Sequence, residues 1–122
     1  MNPFLQVAIG GAAGSVLRYG VNIAALRITT LPLGTLTVNI VGCFVMGVLA
    51  SALAMRGGQH LAPLLLTGVL GGFTTFSAFS LDTLTLWERG AVGLAVGYVL
   101  ASVIFSLAAV FAGLAIGRGI FA

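Results

Sequence analysis

Gly68-Val69-Leu70-Gly71-Gly72-Phe73-Thr74-Thr75-Phe76-Ser77-Ala78-Phe79-Ser80 lies near the middle of an apolar run from Leu61 to Trp87. Two adjacent glycines, two threonines and two serines are poor material for the core of an unbroken helix. At ~1.5 Å per residue the run would be ~40 Å long as a helix, more than the ~30 Å hydrocarbon layer of a bilayer requires. The surplus, with Gly71-Gly72 at its centre, predicts a helix broken at mid-membrane near residues 71–75. Irregular backbone at that depth survives only where it lines a cavity or is buried in protein. The break is therefore the expected functional centre.

The rest of the chain supports a membrane setting. Of 122 residues, 60% are hydrophobic and 6% charged, against roughly 25% charged in a soluble domain. The charges are Arg18, Arg27, Arg56, Arg89, Arg118, Asp82 and Glu88, a net of +3 with no basic run, which excludes a nucleic-acid surface. The start Met1-Asn2-Pro3-Phe4 has no positive segment and no small-residue cleavage site after it, so no removable signal peptide is expected. Cys43 is the single cysteine, without partners for a disulfide or a metal site.

Four apolar segments are long enough to span a bilayer: Pro3 to Leu26, Leu33 to Met55, Leu61 to Trp87 and Ala91 to Gly117. The connectors between them are short. The expected architecture is one all-α transmembrane domain, a four-helix membrane bundle whose third helix is broken. Glycines recur at four-residue spacing in Gly10/Gly14, Gly68/Gly72, Gly93/Gly97 and Gly113/Gly117, the pattern that lets helix backbones approach closely in lipid. Four spans place both termini on one side, with Arg27 and Arg89 on one face and Arg56 and Arg118 on the other. Such a balance gives no orientation bias beyond what Arg18 adds. Insertion in both orientations, and pairing of opposite copies about a two-fold axis in the membrane plane, follows as an expectation.

No enzyme constellation is visible: one loop histidine (His60), one cysteine and two carboxylates assemble no nucleophile, base and orienting group. Polar residues inside the spans point instead to permeation. Thr35 and Asn39 are one turn apart on the second span, and Tyr98, Ser102 and Ser106 form one stripe on the fourth. Phe76 and Phe79 share a face of the half-helix after the break, and Thr75 and Ser77 stand at its start. Hydroxyls, an amide N–H and aromatic ring edges all present positive hydrogens. A half-helix starting at Thr75 also aims its positive dipole end at the membrane centre. A track of donors without a lining carboxylate suits a small, strongly hydrated anion.

Gly10-Gly11-Ala12-Ala13-Gly14-Ser15-Val16-Leu17-Arg18-Tyr19, Gly34-Thr35-Leu36-Thr37-Val38-Asn39-Ile40-Val41-Gly42 and Gly71-Gly72-Phe73-Thr74-Thr75-Phe76-Ser77-Ala78-Phe79 together resemble the CrcB/Fluc fluoride channel family, across all four spans. The resemblance implies a dual-topology homodimer with two antiparallel pores, exporting fluoride passively across a prokaryotic inner or plasma membrane. Asn39 matches the family's pore asparagine, Phe76 and Phe79 its pore phenylalanines, and Thr35, Tyr98, Ser102 and Ser106 its polar track. It further implies a central sodium ion held by backbone carbonyls that map to Gly71 and Thr74. The ion would be structural, and the neutral oxygens favour Na⁺ over a divalent ion, which prefers carboxylates. Ala78 stands where the family commonly has threonine, and Asp82 where it usually has glutamate.

The competing reading is a small four-span multidrug exporter of the dual-topology type, which needs a membrane-embedded carboxylate to exchange protons for a cationic drug. The first span offers only Arg18. A purely structural membrane protein predicts neither a polar stripe nor a mid-span break. Arg18 and Asp82 lie at similar depth from one face. They are expected either to pair, since an unpaired charge there is costly, or to leave Arg18 in a wet vestibule that draws anions inward.

Overall fold

The computed structural model describes every residue, Met1–Ala122. All regular structure is helical: α1 (Pro3–Leu26), α2 (Leu33–Arg56), a 3-10 turn (Gln59–Leu61), a π-helical segment (Pro63–Leu70), α3 (Gly71–Phe73), α4 (Phe76–Glu88) and α5 (Val92–Phe121). The π segment, α3 and α4 make up the third long element, so four long helical elements run through the molecule. Three of these, Leu33–Arg56, Gln59–Glu88 and Val92–Phe121, are long and apolar enough to cross a membrane. The fourth, α1, has the same 24-residue length as α2 but carries Gln6, Arg18 and Asn22.

Local chemistry sets the ends. The Asn2 side chain accepts the Phe4 N–H at 2.7 Å and Pro3 occupies the first turn of α1, where its missing donor costs nothing. After α2 the chain reverses through Gly57 at φ 73°, and after α4 through Gly90 at φ 80°. Glycine adopts that left-handed geometry without a Cβ penalty. At the far end, Arg56 Nε donates to the Phe121 carbonyl at 3.1 Å and its guanidinium stands 5.9 Å from the Phe121 ring centre, tying the close of α5 to the close of α2.

Packing follows the glycines. α1 lies along the π segment and α3, while α5 runs along α2. A Cβ at Gly14 would strike the Val69 carbonyl, and one at Gly10 would lie 2.9 Å from the Gly68 Cα. These backbones touch with no side chain between them. Ser51 donates to the carbonyls of Gly47 (2.7 Å) and Leu114 (3.3 Å), stitching α2 to α5. Only 18 of 122 residues are buried, and Phe4, Val16, Tyr19 and Phe111 are among many large side chains left exposed. That surface suits lipid or another apolar body rather than water.

The break falls at the far end of the range 71–75 expected from the sequence. Gly71 is helical, at φ −62° and ψ −36°, and the chain departs from the helix at Thr74 and Thr75. Both are extended, at φ −87°, ψ 156° and φ −153°, ψ 126°. Gly72 serves packing instead, because a Cβ there would lie 2.7 Å from the Gly11 carbonyl oxygen. Nothing in the sequence pattern announces the wider π turns that precede it.

Candidate functional site

The two extended threonines leave polar groups to satisfy in a region without water. Thr74 turns back on the preceding helix, its N–H and its hydroxyl each donating to the Leu70 carbonyl at 2.9 Å. Thr75 turns to α2. Its N–H donates to Asn39 Oδ1 at 2.8 Å, and its carbonyl accepts from Asn39 Nδ2 at 3.0 Å, across 36 residues of sequence. Thr75 Oγ1 then accepts the Ala78 N–H at 3.2 Å and so caps α4. No donor within the chain reaches the carbonyls of Gly71, Gly72, Phe73 or Thr74, and no acceptor takes the N–H of Phe76 or Ser77. The break thus presents free carbonyls from its first half and free N–H groups from its second.

A groove of about 350 Å³ opens beside it, lined on the α2 side by Asn39 and Cys43, at the break by Thr74, Thr75, Phe76 and Phe79, and along α5 by Ser102, Val103, Ser106 and Leu107. Phe76 and Phe79 have ring centres 5.4 Å apart at 56°, and Phe79 and Tyr98 are 5.4 Å apart at 42°. Tilted rings at this spacing turn edges, the positive rim, toward neighbours. Ser102 is buried, and its hydroxyl finds no partner. In contrast, Thr74, Ser80, Thr83 and Thr85 bond back to carbonyls four residues earlier, as hydroxyls in apolar helices usually do. A buried hydroxyl without a partner costs about 1–3 kcal/mol. Among the hydroxyls lining the groove, that of Ser102 is buried and engaged by no group of the chain.

Of the residues singled out from sequence, the structure gathers Asn39, Thr75, Phe76, Phe79, Ser102 and Ser106 around one groove. Tyr98 stands next along the aromatic row, with Thr35 buried beside it. Ser77 is exposed, its hydroxyl 3.2 Å from that of Thr75. Arg18 is half-buried on α1 and outside the lining. The ion pair between Arg18 and Asp82 does not form. Asp82 Oδ2 instead accepts the Tyr98 hydroxyl at 3.0 Å, a neighbour supplied by α5 at the same level. Sequence reasoning passed over Cys43, which shares the groove because it sits one turn after Asn39 on α2. That four-residue spacing was the available signal.

The chain also matches known proteins along almost its whole length. The family described as CrcB-like protein, Camphor Resistance (CrcB), matches residues 5–114. The chain is 72% identical over 120 residues to a protein of Paracoccus denitrificans (strain Pd 1222) named fluoride-specific ion channel FluC, covering 98% of this chain and 97% of that one. Proteins of the same name from Cereibacter sphaeroides (strain ATCC 17029 / ATH 2.4.9) and Agrobacterium fabrum (strain C58 / ATCC 33970) are 54% and 55% identical, over 98% and 94% of this chain and 97% and 95% of theirs.

Proposed function

The chain belongs to the CrcB family, and from that premise we propose that it is a fluoride-selective ion channel through which fluoride leaves the cytoplasm passively. The observation that carries the reading is the groove at the break. It combines a buried Ser102 hydroxyl with no partner in the chain, the Ser106 hydroxyl, the rings of Phe76 and Phe79 and the amide of Asn39, and it has no carboxylate in its lining. The free N–H groups at the start of α4 add the positive end of a helix. Fluoride must shed tightly held water, and closely set neutral donors replace that water without trapping the ion as a fixed charge would. Ser102 and Ser106 extend the donors along α5, with Thr75 and Ser77 at the mouth of the half-helix, while Tyr98, whose hydroxyl is taken by Asp82, and Thr35 beside it border the track. Arg18 is the one cation inside α1 and would draw anions inward. Asp82 is held by Tyr98 outside the lining and leaves the path neutral. A multidrug exporter would need a proton-exchanging carboxylate in its groove, and every named relative above is a fluoride channel.

Reconstituted into liposomes, the protein is expected to release fluoride and retain chloride. Comparable chloride release would overturn the reading.

The working unit in this proposal is an antiparallel homodimer in a prokaryotic cell membrane, with both orientations inserted, four spans per copy and two pores. The support is the two-against-two division of Arg27 and Arg89 from Arg56 and Arg118, together with the large apolar surface a single copy leaves exposed. Two or three lysines added to one connector should force a single orientation and abolish flux, and co-expression with an oppositely biased copy should restore it. Activity of a biased copy alone would exclude the arrangement.

A structural Na⁺ at the dimer centre belongs to the same proposal. The carbonyls of Gly71 and Thr74 have no donor within the chain and carry no formal charge, which fits a hard monovalent cation. When bound, such an ion supplies positive charge to oxygens that lipid cannot satisfy. Exchange of Na⁺ for a large organic cation should lower the thermal stability of the dimer, and indifference to that exchange would leave those carbonyls to water.

A further inference from the structure

Asn39 has so far counted as one donor among several, but its bonds point to a more specific task. In an unbroken α-helix the Thr75 N–H would bond to the carbonyl of Gly71, four residues earlier. Here that N–H goes to Asn39 Oδ1, and the Thr75 carbonyl goes to Asn39 Nδ2. The carboxamide pairs with the Thr75 peptide unit as a neighbouring strand would, supplying one acceptor and one donor. A backbone N–H can only donate and a carbonyl can only accept, so one orientation of the amide satisfies both. Two consequences follow from the same two bonds. The Gly71 carbonyl is left with no donor, and Thr75 is held extended so that its hydroxyl caps α4 at Ala78. No other side chain bridges from another long helix to the backbone of Thr74 or Thr75.

We propose that Asn39 is the positioning residue of the break: by taking over the helical partners of Thr75 it keeps the third span interrupted, frees the Gly71 carbonyl and aims the start of α4 at the groove. The requirement on residue 39 is then one acceptor and one donor toward Thr75, and only the remaining amide N–H is available for an anion. This rests on the channel reading above for its flux readout, but its structural readout is independent of it.

Asn39→Asp separates the two roles. An ionised carboxylate accepts from the Thr75 N–H but repels the Thr75 carbonyl. A protonated carboxyl offers one acceptor and one O–H donor, restoring both bonds, yet has no further hydrogen to give an anion. The groove around residue 39 holds no charged side chain. The titratable groups facing it are Cys43 on α2 and, beyond Phe79, the bonded pair of Tyr98 on α5 and Asp82 on α4. Fluoride release from liposomes carrying wild type or Asn39→Asp should be compared at neutral and at mildly acidic pH, with protein-free liposomes at each pH as the baseline for permeation of HF. At neutral pH the variant should fall to the baseline. On acidification it should recover to within about tenfold of wild type, the equivalent of roughly one neutral hydrogen bond. If wild type conducts and the acidified variant stays at baseline, Asn39 acts as an anion ligand and the positioning role is wrong. A wild type that never conducts overturns the channel reading instead. The second measurement needs no variant: a scalar coupling across the hydrogen bond between the Thr75 amide nitrogen and the Asn39 side-chain carbonyl carbon should appear in the NMR spectrum of the wild-type protein. Its absence, with the Thr75 amide assigned, overturns the proposal whether or not fluoride moves.

Discussion

Before Thr74, the third span meets its neighbour backbone to backbone, with Gly68 and Gly72 set against Gly10, Gly11 and Gly14 of α1. After Thr75, α4 is held by side chains: Asn39 to the Thr75 peptide, Tyr98 to Asp82, and Phe79 between Phe76 and Tyr98. The first half is a close-packed anchor that a methyl group would wedge open. The second stands further from its neighbours, and the space between is the groove. In lipid, where burying apolar surface brings helices no advantage, small residues give dense contact and polar side chains give directed links. One span uses each device on one side of its break, and the groove opens where dense contact ends.

The comparison can be broken most severely at the anchor. Gly14→Val places branched carbon where the Val69 carbonyl now sits, and backbone cannot rotate aside as a side chain can. Loss of roughly 3 kcal/mol or more is expected, seen as aggregation or loss of the cooperative thermal transition followed by circular dichroism. Retention of the wild-type transition would show that the anchor is loose.

A smaller effect, confined to function, is expected beyond the break. Phe76 is 78% exposed in the single chain, so Phe76→Ile should leave stability nearly unchanged. Losing the ring edge removes about 1.4 kcal/mol of favourable electrostatics toward an anion, or a tenfold fall in fluoride flux. Equal flux in the variant would remove Phe76 from the path.

Tyr98→Phe keeps the ring against Phe79 but strips Asp82 of its donor. Destabilisation of about 1–2 kcal/mol is expected in thermal unfolding, and Tyr98→Phe combined with Asp82→Asn should recover part of it. No recovery would mean that the hydroxyl serves something other than Asp82.

The smallest effect sharpens the contrast from within α1. Gly20 has open space where Gly14 has the Val69 carbonyl. Gly20→Ala should therefore raise stability by up to ~1 kcal/mol through helix propensity. A large loss would reveal a contact that the single chain does not make.

Composition and hydropathy by themselves determined that this is a helical membrane protein, because a charged fraction of 6% and long apolar runs leave few other solutions. The existence of a mid-span interruption was also legible, since the run from Leu61 to Trp87 is too long and too rich in Gly, Thr and Ser for one uniform helix. Its range, residues 71–75 with a half-helix starting at Thr75, was legible too, but not which residues within it leave the helix. Gly71 and Gly72 read as the weak point, yet α1 lies so close that Gly72 is needed for contact, and the chain leaves the helix at the next residues that can find partners. Thr75 finds its partner 36 residues earlier on α2, and no local pattern encodes which side chain will stand opposite a given peptide. The fate of Asp82 was settled in the same way: similar depth suggested Arg18, but α5 brings the Tyr98 hydroxyl within 3.0 Å. Residue type and spacing specify which groups must be satisfied in lipid. Only the packing of one helix on another decides by whom, because hydrogen bonds act over about 3 Å and helices choose their neighbours by shape.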